Sequence, residues 1–191
     1  MLTLKSPLIL ASNSPRRQQL MKEAGFDFRV EVRPTDELFP PTMHAAQVAE
    51  YLAQHKAEQF GEYQGEALVL CADTIVVVDT TILNKPADAA EARSMLRQLS
   101  GHTHQVITGI CLLGPKGYEP ASDIAHVTFR ELEDAEIDYY IEQYRPYDKA
   151  GAYGIQEWIG MVGIERIEGS YYTIMGLPVH KVYQLLKPHV N

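Results

Sequence analysis

Residues 67–78 are apolar throughout except where Cys71-Ala72-Asp73-Thr74 interrupts them. A run of this length is too short to span a bilayer. Its continuous apolarity is that of a strand buried inside a sheet, so it reads as a central strand, or as two strands joined at a kink. Asp73 is the anomaly within it. An ionised carboxylate in such surroundings is costly unless it is paired, hydrogen-bonded or bound to a metal. That makes Asp73 a candidate functional group, the alternative being a strand-end aspartate held in a structural network.

A second apolar run, residues 8–11, stops abruptly in Ser12-Asn13-Ser14-Pro15-Arg16-Arg17. Ser14 is a good N-cap and Pro15 suits the first helical position, so a helix begins there, and Gly25 ends it. A strand that turns directly into a helix N-terminus gathers free backbone N–H groups at the positive end of the helix dipole, which suits an anion. Arg16 and Arg17 add guanidinium forks able to hold phosphate oxygens bidentately. A capped surface helix with two solvated arginines would show the same spacing. Neither Gly-x-x-x-x-Gly-Lys-Ser nor Gly-x-Gly-x-x-Gly occurs, so this is neither of the common phosphate loops.

Along the rest of the chain, residues 26–32 alternate as a strand, and residues 33–41, broken by prolines, form a loop that carries Glu37. Ala45, Val48, Ala49, Leu52, Lys56, Ala57 and Phe60 share one helical stripe; on pattern alone its single charge, Lys56, snorkels to solvent. Asp79-Thr80-Thr81 turns the chain into Ile82-Leu83, after which Asn84-Lys85-Pro86 presents a second lone lysine. Asp88 with Glu91 makes an N-cap pair for a helix over 89–99, closed by Ser100-Gly101. His102 and His104, two apart, suit neither one helical face nor a complete metal site. Residues 106–113 read as a strand, Pro115-Lys116-Gly117 as a turn and 121–129 as the hairpin partner.

Ile137, Tyr140, Ile141 and Tyr144 then sit at helical spacing as far as Arg145-Pro146. Residues 148–156 embed charges and Gln156 among small residues, where glycines let the backbone approach a ligand closely. A mobile linker is the alternative, although Tyr153, Ile155 and Trp158 bring more apolar mass than a solvated linker needs. Residues 161–167 read as a strand and Glu168-Gly169-Ser170 as a turn. Gly176-Leu177-Pro178 starts a last helix with Val179, Val182, Tyr183 and Leu186 on its buried face. Alternating strands and helices indicate an α/β fold, and the central hairpin argues against a purely parallel sheet.

Charge narrows the range of partners. With 191 residues, 46% of them hydrophobic, the chain can bury the core of one domain, and its net charge of -8 argues against a general affinity for nucleic acid polymers or anionic membranes. An anionic small molecule is compatible with that balance where basic residues converge. Cys71 and Cys111 lie inside apolar runs without metal-ligand spacing and read as buried free thiols, which fits a reducing compartment. With no basic region leading into a long apolar core at its start, the chain reads as cytoplasmic.

Several motifs together go beyond pattern: Ser12-Asn13-Ser14-Pro15-Arg16-Arg17, Ala72-Asp73-Thr74-Ile75-Val76, Asn84-Lys85-Pro86, the stretch from Ser100 to Thr108, the stretch from Asp148 to Gln156, and Gly176-Leu177-Pro178. Their order over nearly the whole chain resembles the Maf family of nucleoside triphosphate pyrophosphatases. The resemblance implies a single domain over residues 1–191, with an elongated mixed α/β sheet, flanking helices and two lobes around a cleft, similar to the inosine-triphosphate pyrophosphatases. It implies cleavage of a nucleoside triphosphate to monophosphate and pyrophosphate with magnesium, for which manganese or cobalt can substitute, in a cytoplasmic protein that often forms a homodimer. Thr74 after the aspartate and an intact Tyr153-Gly154-Ile155-Gln156 resemble the branch acting on dTTP and UTP, not the 7-methyl-GTP branch.

Carried over position by position, the family pattern makes Asp73 the proton acceptor and a metal ligand with Glu37. It places Ser12, Arg16, Arg17, Lys56 and Lys85 around the triphosphate, and matches Arg16, Thr74 and Gln156 to specificity positions. The sequence departs from the pattern at Asn13, at Asn84, and at Glu157-Trp158-Ile159-Gly160, where the family has a small glycine-rich stretch. Two rival readings are a non-catalytic nucleotide sensor tied to growth or division and a pyrophosphatase for modified purine nucleotides. Asp73 together with Glu37 disfavours the first, and Thr74 with Gln156 disfavours the second.

Overall fold

In the computed structural model, which describes residues 2–191, β1 (Leu8–Leu10) is buried along its length and leads into α1 (Pro15–Glu23). Ser14 caps that helix, its hydroxyl accepting from Arg17 N–H, and Gly25 at φ +83° takes the chain out of it. β2 (Arg29–Val30) is an exposed edge strand of two residues, shorter than the alternation over 26–32 predicts, because it has β1 on one side and water on the other. α2 (Ala45–Glu58) follows the loop. β3 (Leu68–Val78) is one continuous strand, so the kinked alternative does not occur. Asp79, at φ 53°, reverses the chain into β4 (Thr81–Leu83), and α3 (Ala89–Leu99) starts on the Asp88 cap.

β5 (Thr103–Gly114) and β6 (Gly117–Phe129) are joined by Pro115 and Lys116 alone, the short connection of an antiparallel pair. α4 (Asp134–Tyr144), α5 (Trp158–Gly163), β7 (Ile164–Glu168), α6 (Tyr171–Met175) and α7 (Val179–Leu186) complete the chain. The strands form one mixed seven-stranded sheet in the order β2-β1-β3-β5-β6-β7, with β4 paired to β3. β1 is parallel to both β2 and β3, whereas β3–β4 and β6–β7 are antiparallel.

Two compact units divide the chain. One comprises the chain as far as Asp73 with Thr108–Asp123 and Gly176–Asn191; the other comprises Thr74–Ile107 and Ile124–Met175. In the first, Ala53, Ala57 and Phe60 pack with Ile9, Val69, Cys71, Cys111 and Leu113 into a buried cluster. The small face of α2 is what allows this close packing. At Gly109 on β5 a Cβ would fall inside the backbone of Ala49 and Glu50. In the second unit Arg93 and Arg97 of α3 pair with Asp134 and Asp138 of α4, over a core that includes Leu96, Leu99, Phe129, Ile137 and Tyr140.

Two expectations fail locally. Residues 161–163 are helical, because Glu157 carbonyl oxygen accepts from Gly160 and Met161 N–H and turns the chain into α5. Gly160 permits the turn, since a Cβ there would collide with the Ile155 carbonyl. Tyr183 is not on the buried face of α7: Val182 and Leu186 are buried, while Tyr183 is 41% exposed with its ring beside Phe26. Cys71 and Cys111 are buried free thiols, and no helix among the described residues is long and apolar enough to cross a membrane.

Candidate active site

Within the first unit, four elements bring the charged candidates together. β3 carries Asp73, only 8% exposed, to the end of its buried run. α2 supplies Lys56, whose stem follows the apolar stripe and whose ammonium donates to Asp73 Oδ1 and, at 3.1 Å, to Glu37 Oε1. Snorkelling to solvent is therefore not what Lys56 does: its side chain is 19% exposed and ends between two carboxylates. Glu37 reaches in from the proline-broken loop and stays half-exposed.

The strand–helix junction provides the second half of the cluster. Ser12 is buried, its hydroxyl accepting from Ser14 N–H at 3.2 Å and from Arg17 Nη1 at 3.4 Å. Arg17 also donates from Nη1 to the Ala72 carbonyl at 2.9 Å and from Nε to the Gly176 carbonyl at 2.8 Å. The guanidinium thus braces the backbone just before Asp73 against the start of the last helical segment, while adding positive charge beside the carboxylates. Burial pulls the Arg17 pKa down, with Arg16 acting in the same direction and Asp73 and Glu37 opposing it. Arg16 follows Pro15 in the first turn of α1 and is partly exposed. Burial pushes the neighbouring Cys71 thiol up to about 12, so it stays protonated and adds no charge.

Asp73 and Glu37 offer carboxylate oxygens, the donor type of a hard divalent cation. No group of three or more His, Cys, Asp and Glu suited to a metal occurs among the described residues. Water or phosphate oxygens would have to complete the shell, which is how magnesium is usually held beside nucleotide phosphates. The residues present fit such an ion.

Thr74, Lys85 and Gln156 belong to the second unit. Thr74 follows Asp73 along β3, Lys85 lies exposed after β4, and Gln156 is exposed in a turn ahead of α5. Sequence reasoning missed what surrounds that turn. Tyr140 hydroxyl accepts from Gly154 N–H at 3.0 Å and donates to Glu157, whose other oxygen lies 3.2 Å from the buried Lys149 ammonium. His104, 1% exposed, pairs through Nε2 with the Tyr153 hydroxyl at 2.7 Å. The motif containing His104 was visible in the sequence, but nothing in it pointed to a tyrosine 49 residues away.

Residues 7–189 match the family described as Maf-like protein. The chain belongs to the Maf family. A relative from Porphyromonas gingivalis, named dTTP/UTP pyrophosphatase, is 49% identical over 189 residues, covering 96% of this chain and 94% of that one. Relatives of the same name from Phocaeicola vulgatus and Flavobacterium johnsoniae are 47% and 44% identical, covering 96% and 95% of this chain and 96% and 94% of theirs. Among solved structures, a HAM1 protein from Coxiella burnetii shows a slight likeness, with a TM-score of 0.40 and 18% identity, covering 65% of this chain and 73% of that one.

Proposed function

We propose that this Maf protein hydrolyses dTTP and UTP, and 5-modified uridine triphosphates, to the nucleoside monophosphate and pyrophosphate in the cytoplasm. The observation that carries the reading is the convergence of Asp73, Lys56 and Glu37, from a buried strand, a helix and a loop, beside the Ser12–Arg17 junction. Full-length relatives named for that activity support it.

In this reading the triphosphate lies against the N-terminus of α1, with Ser12, Arg16, Arg17, Lys56 and Lys85 offsetting its charge. Asp73 takes the proton of a water, or orients it, as the water oxygen attacks the α-phosphorus in line with the bond to the bridging oxygen. That bond breaks and pyrophosphate leaves. Asp73 and Glu37 would hold a magnesium ion, which supplies charge compensation at the phosphates and acidifies bound water. Lys56, hydrogen-bonded to both carboxylates, offsets their mutual repulsion and holds them to one side of its ammonium.

Base choice falls to Gln156, with Arg16 and Thr74. The Gln156 amide offers a donor and an acceptor, matching the edge of uracil; a donor such as Arg16 at the 4-position satisfies the uracil carbonyl and opposes the amino group of cytosine. The bases of dTTP and UTP share the same hydrogen-bonding edge and differ only by a methyl, which discriminates by about 10–200-fold at best, so a site that reads that edge accepts both bases.

The test is a nucleotide panel with magnesium, assayed for phosphate and for pyrophosphate, on the parent and on Asp73→Asn. Pyrophosphate appears with UTP and dTTP, CTP is poorer and purines poorest, and Asp73→Asn loses at least about a hundredfold in rate while still binding triphosphate. Turnover of Asp73→Asn close to that of the parent removes the aspartate from the chemistry.

A further inference from the structure

Gln156 sits third in a four-residue turn, Gly154-Ile155-Gln156-Glu157, closed by Glu157 N–H donating to the Gly154 carbonyl at 3.0 Å. One buried phenol pins both ends of that turn. Tyr140 hydroxyl accepts from Gly154 N–H at 3.0 Å and donates to Glu157 Oε2. Burial first, and then the Glu157 carboxylate, keeps the phenol protonated, so it remains a donor. Glu157 Oε1 is held by Lys149 Nζ at 3.2 Å, and that ammonium also reaches Asp148 Oδ1 at 2.7 Å. Ile155, 4% exposed, anchors the turn in the core, and Gln156 alone points out.

The turn also restricts the amide itself. A Cβ on Gly154 would lie 2.8 Å from Glu157 Cδ and 3.1 Å from Gln156 Nε2, so the amide and the carboxylate both rest against the bare α-carbon. A glutamine free to rotate presents donor or acceptor with equal ease and so cannot tell uracil from cytosine. A buried tyrosine and lysine joined by a partly buried glutamate behind one exposed amide are a costly construction for a turn that apolar packing alone could hold.

We propose that Tyr140, Glu157 and Lys149 are positioning residues that fix the turn presenting Gln156, and thereby set the preference for uracil over cytosine nucleotides. The inference rests on the reading of Gln156 as a base contact. Held by the triad, Gln156 keeps one amide orientation; without it, the turn loosens and the two pyrimidines become more alike.

The experiment compares kcat and KM for UTP and CTP in the full-length parent, Tyr140→Phe, Glu157→Gln and Gln156→Ala, with melting temperatures alongside. Tyr140→Phe keeps the ring and its stacking on Tyr144, centroids 5.0 Å apart. Both triad variants are expected to cut the ratio of kcat/KM for UTP over CTP by about tenfold or more, chiefly through KM, the scale on which a misplaced positioning group acts. Gln156→Ala collapses the same ratio. If Gln156→Ala collapses the ratio while both triad variants keep it near that of the parent and lose only melting temperature, the triad is a structural brace and the proposal is overturned. If Gln156→Ala also leaves the ratio unchanged, the base-contact reading falls and takes the proposal with it. Should Tyr140→Phe not fold, Glu157→Gln, which keeps the side-chain volume and an oxygen facing the phenol, decides alone.

Discussion

Acidification should destabilise this protein through His104 before most carboxylates respond. The ring is 1% exposed, stacked on Phe129 with centroids 5.6 Å apart and edge-on to Tyr153 at 5.4 Å; among the described residues its Nδ1 has no hydrogen-bond partner. Burial alone pushes its pKa from 6.5 down to about 3. In the unfolded chain the imidazole titrates near its ordinary value, so between the two pKa values the unfolded state binds a proton that the folded state refuses. The stability carried by the neutral ring is therefore complete above the unfolded pKa and drains away as pH falls toward the folded one. The slope is about 1.4 kcal/mol per pH unit, which amounts to about 2 kcal/mol between pH 7.5 and pH 5.0. Urea unfolding at both pH values measures this: with a slope of about 2 kcal/mol per molar urea, the midpoint of the parent drops by about 1 M from this ring. His104→Gln can still meet the Tyr153 hydroxyl but does not titrate, so its midpoint should fall by about 1 M less over the same interval. Parallel loss of stability in parent and variant would show that the folded protein protonates His104 without strain, and would refute the reasoning.

Two further outcomes follow from the geometry. Arg17→Ala and Lys85→Ala should lower the rates for UTP and ATP by a common factor each, since phosphate contacts read no base. Arg17→Ala should also lower stability in chemical denaturation, by about 1.5–3 kcal/mol for its charged hydrogen bonds to the Ala72 and Gly176 carbonyls. Gly109→Ala should be destabilised by about 3 kcal/mol or more, because its Cβ would enter the α2 backbone at Ala49 and Glu50. α2 carries Lys56, so Gly109→Ala protein that does fold should also lose rate with every nucleotide, and an unaffected rate would mean that α2 is free to shift.

How much of this was legible in the sequence depends on where each residue finds its partner. Asp73 announced itself because burial penalises charge so steeply that a carboxylate inside a valine-rich strand demands an explanation. The strand–helix junction was legible for a related reason: Ser14 and Pro15 act on neighbours one to three residues away, within reach of local pattern. For Lys56 the helical pattern alone misleads, for the opposite reason. A helical stripe shows that a lysine lies at the margin of the core, but not which way its ammonium turns, and that was decided by Asp73 on a strand and Glu37 in a loop. Residues 161–163 failed because a short apolar run has no period of its own; what made it helical was room for Gly160 against the Ile155 carbonyl, a tertiary contact.

Tyr140 is the most instructive of these positions. Its place in the stripe with Ile137 and Ile141 correctly marks it as core, and the apolar part of the ring obeys that pattern. The hydroxyl does not belong to the stripe: its partners, Gly154 N–H and the Glu157 carboxylate, lie 14 and 17 residues further on. Periodicity places a side chain on a face, and a polar tip at its end is then settled by whatever chain arrives there later. Lys149 follows the same rule, a charge in a segment of small residues whose burial makes sense only once Glu157 is beside it. A charge set inside an apolar run is conspicuous in sequence because it contradicts its surroundings, as Asp73 does. Groups that hold such residues in place agree with their surroundings and differ by a single polar atom, which is why the supports of Gln156 emerge only from the folded chain.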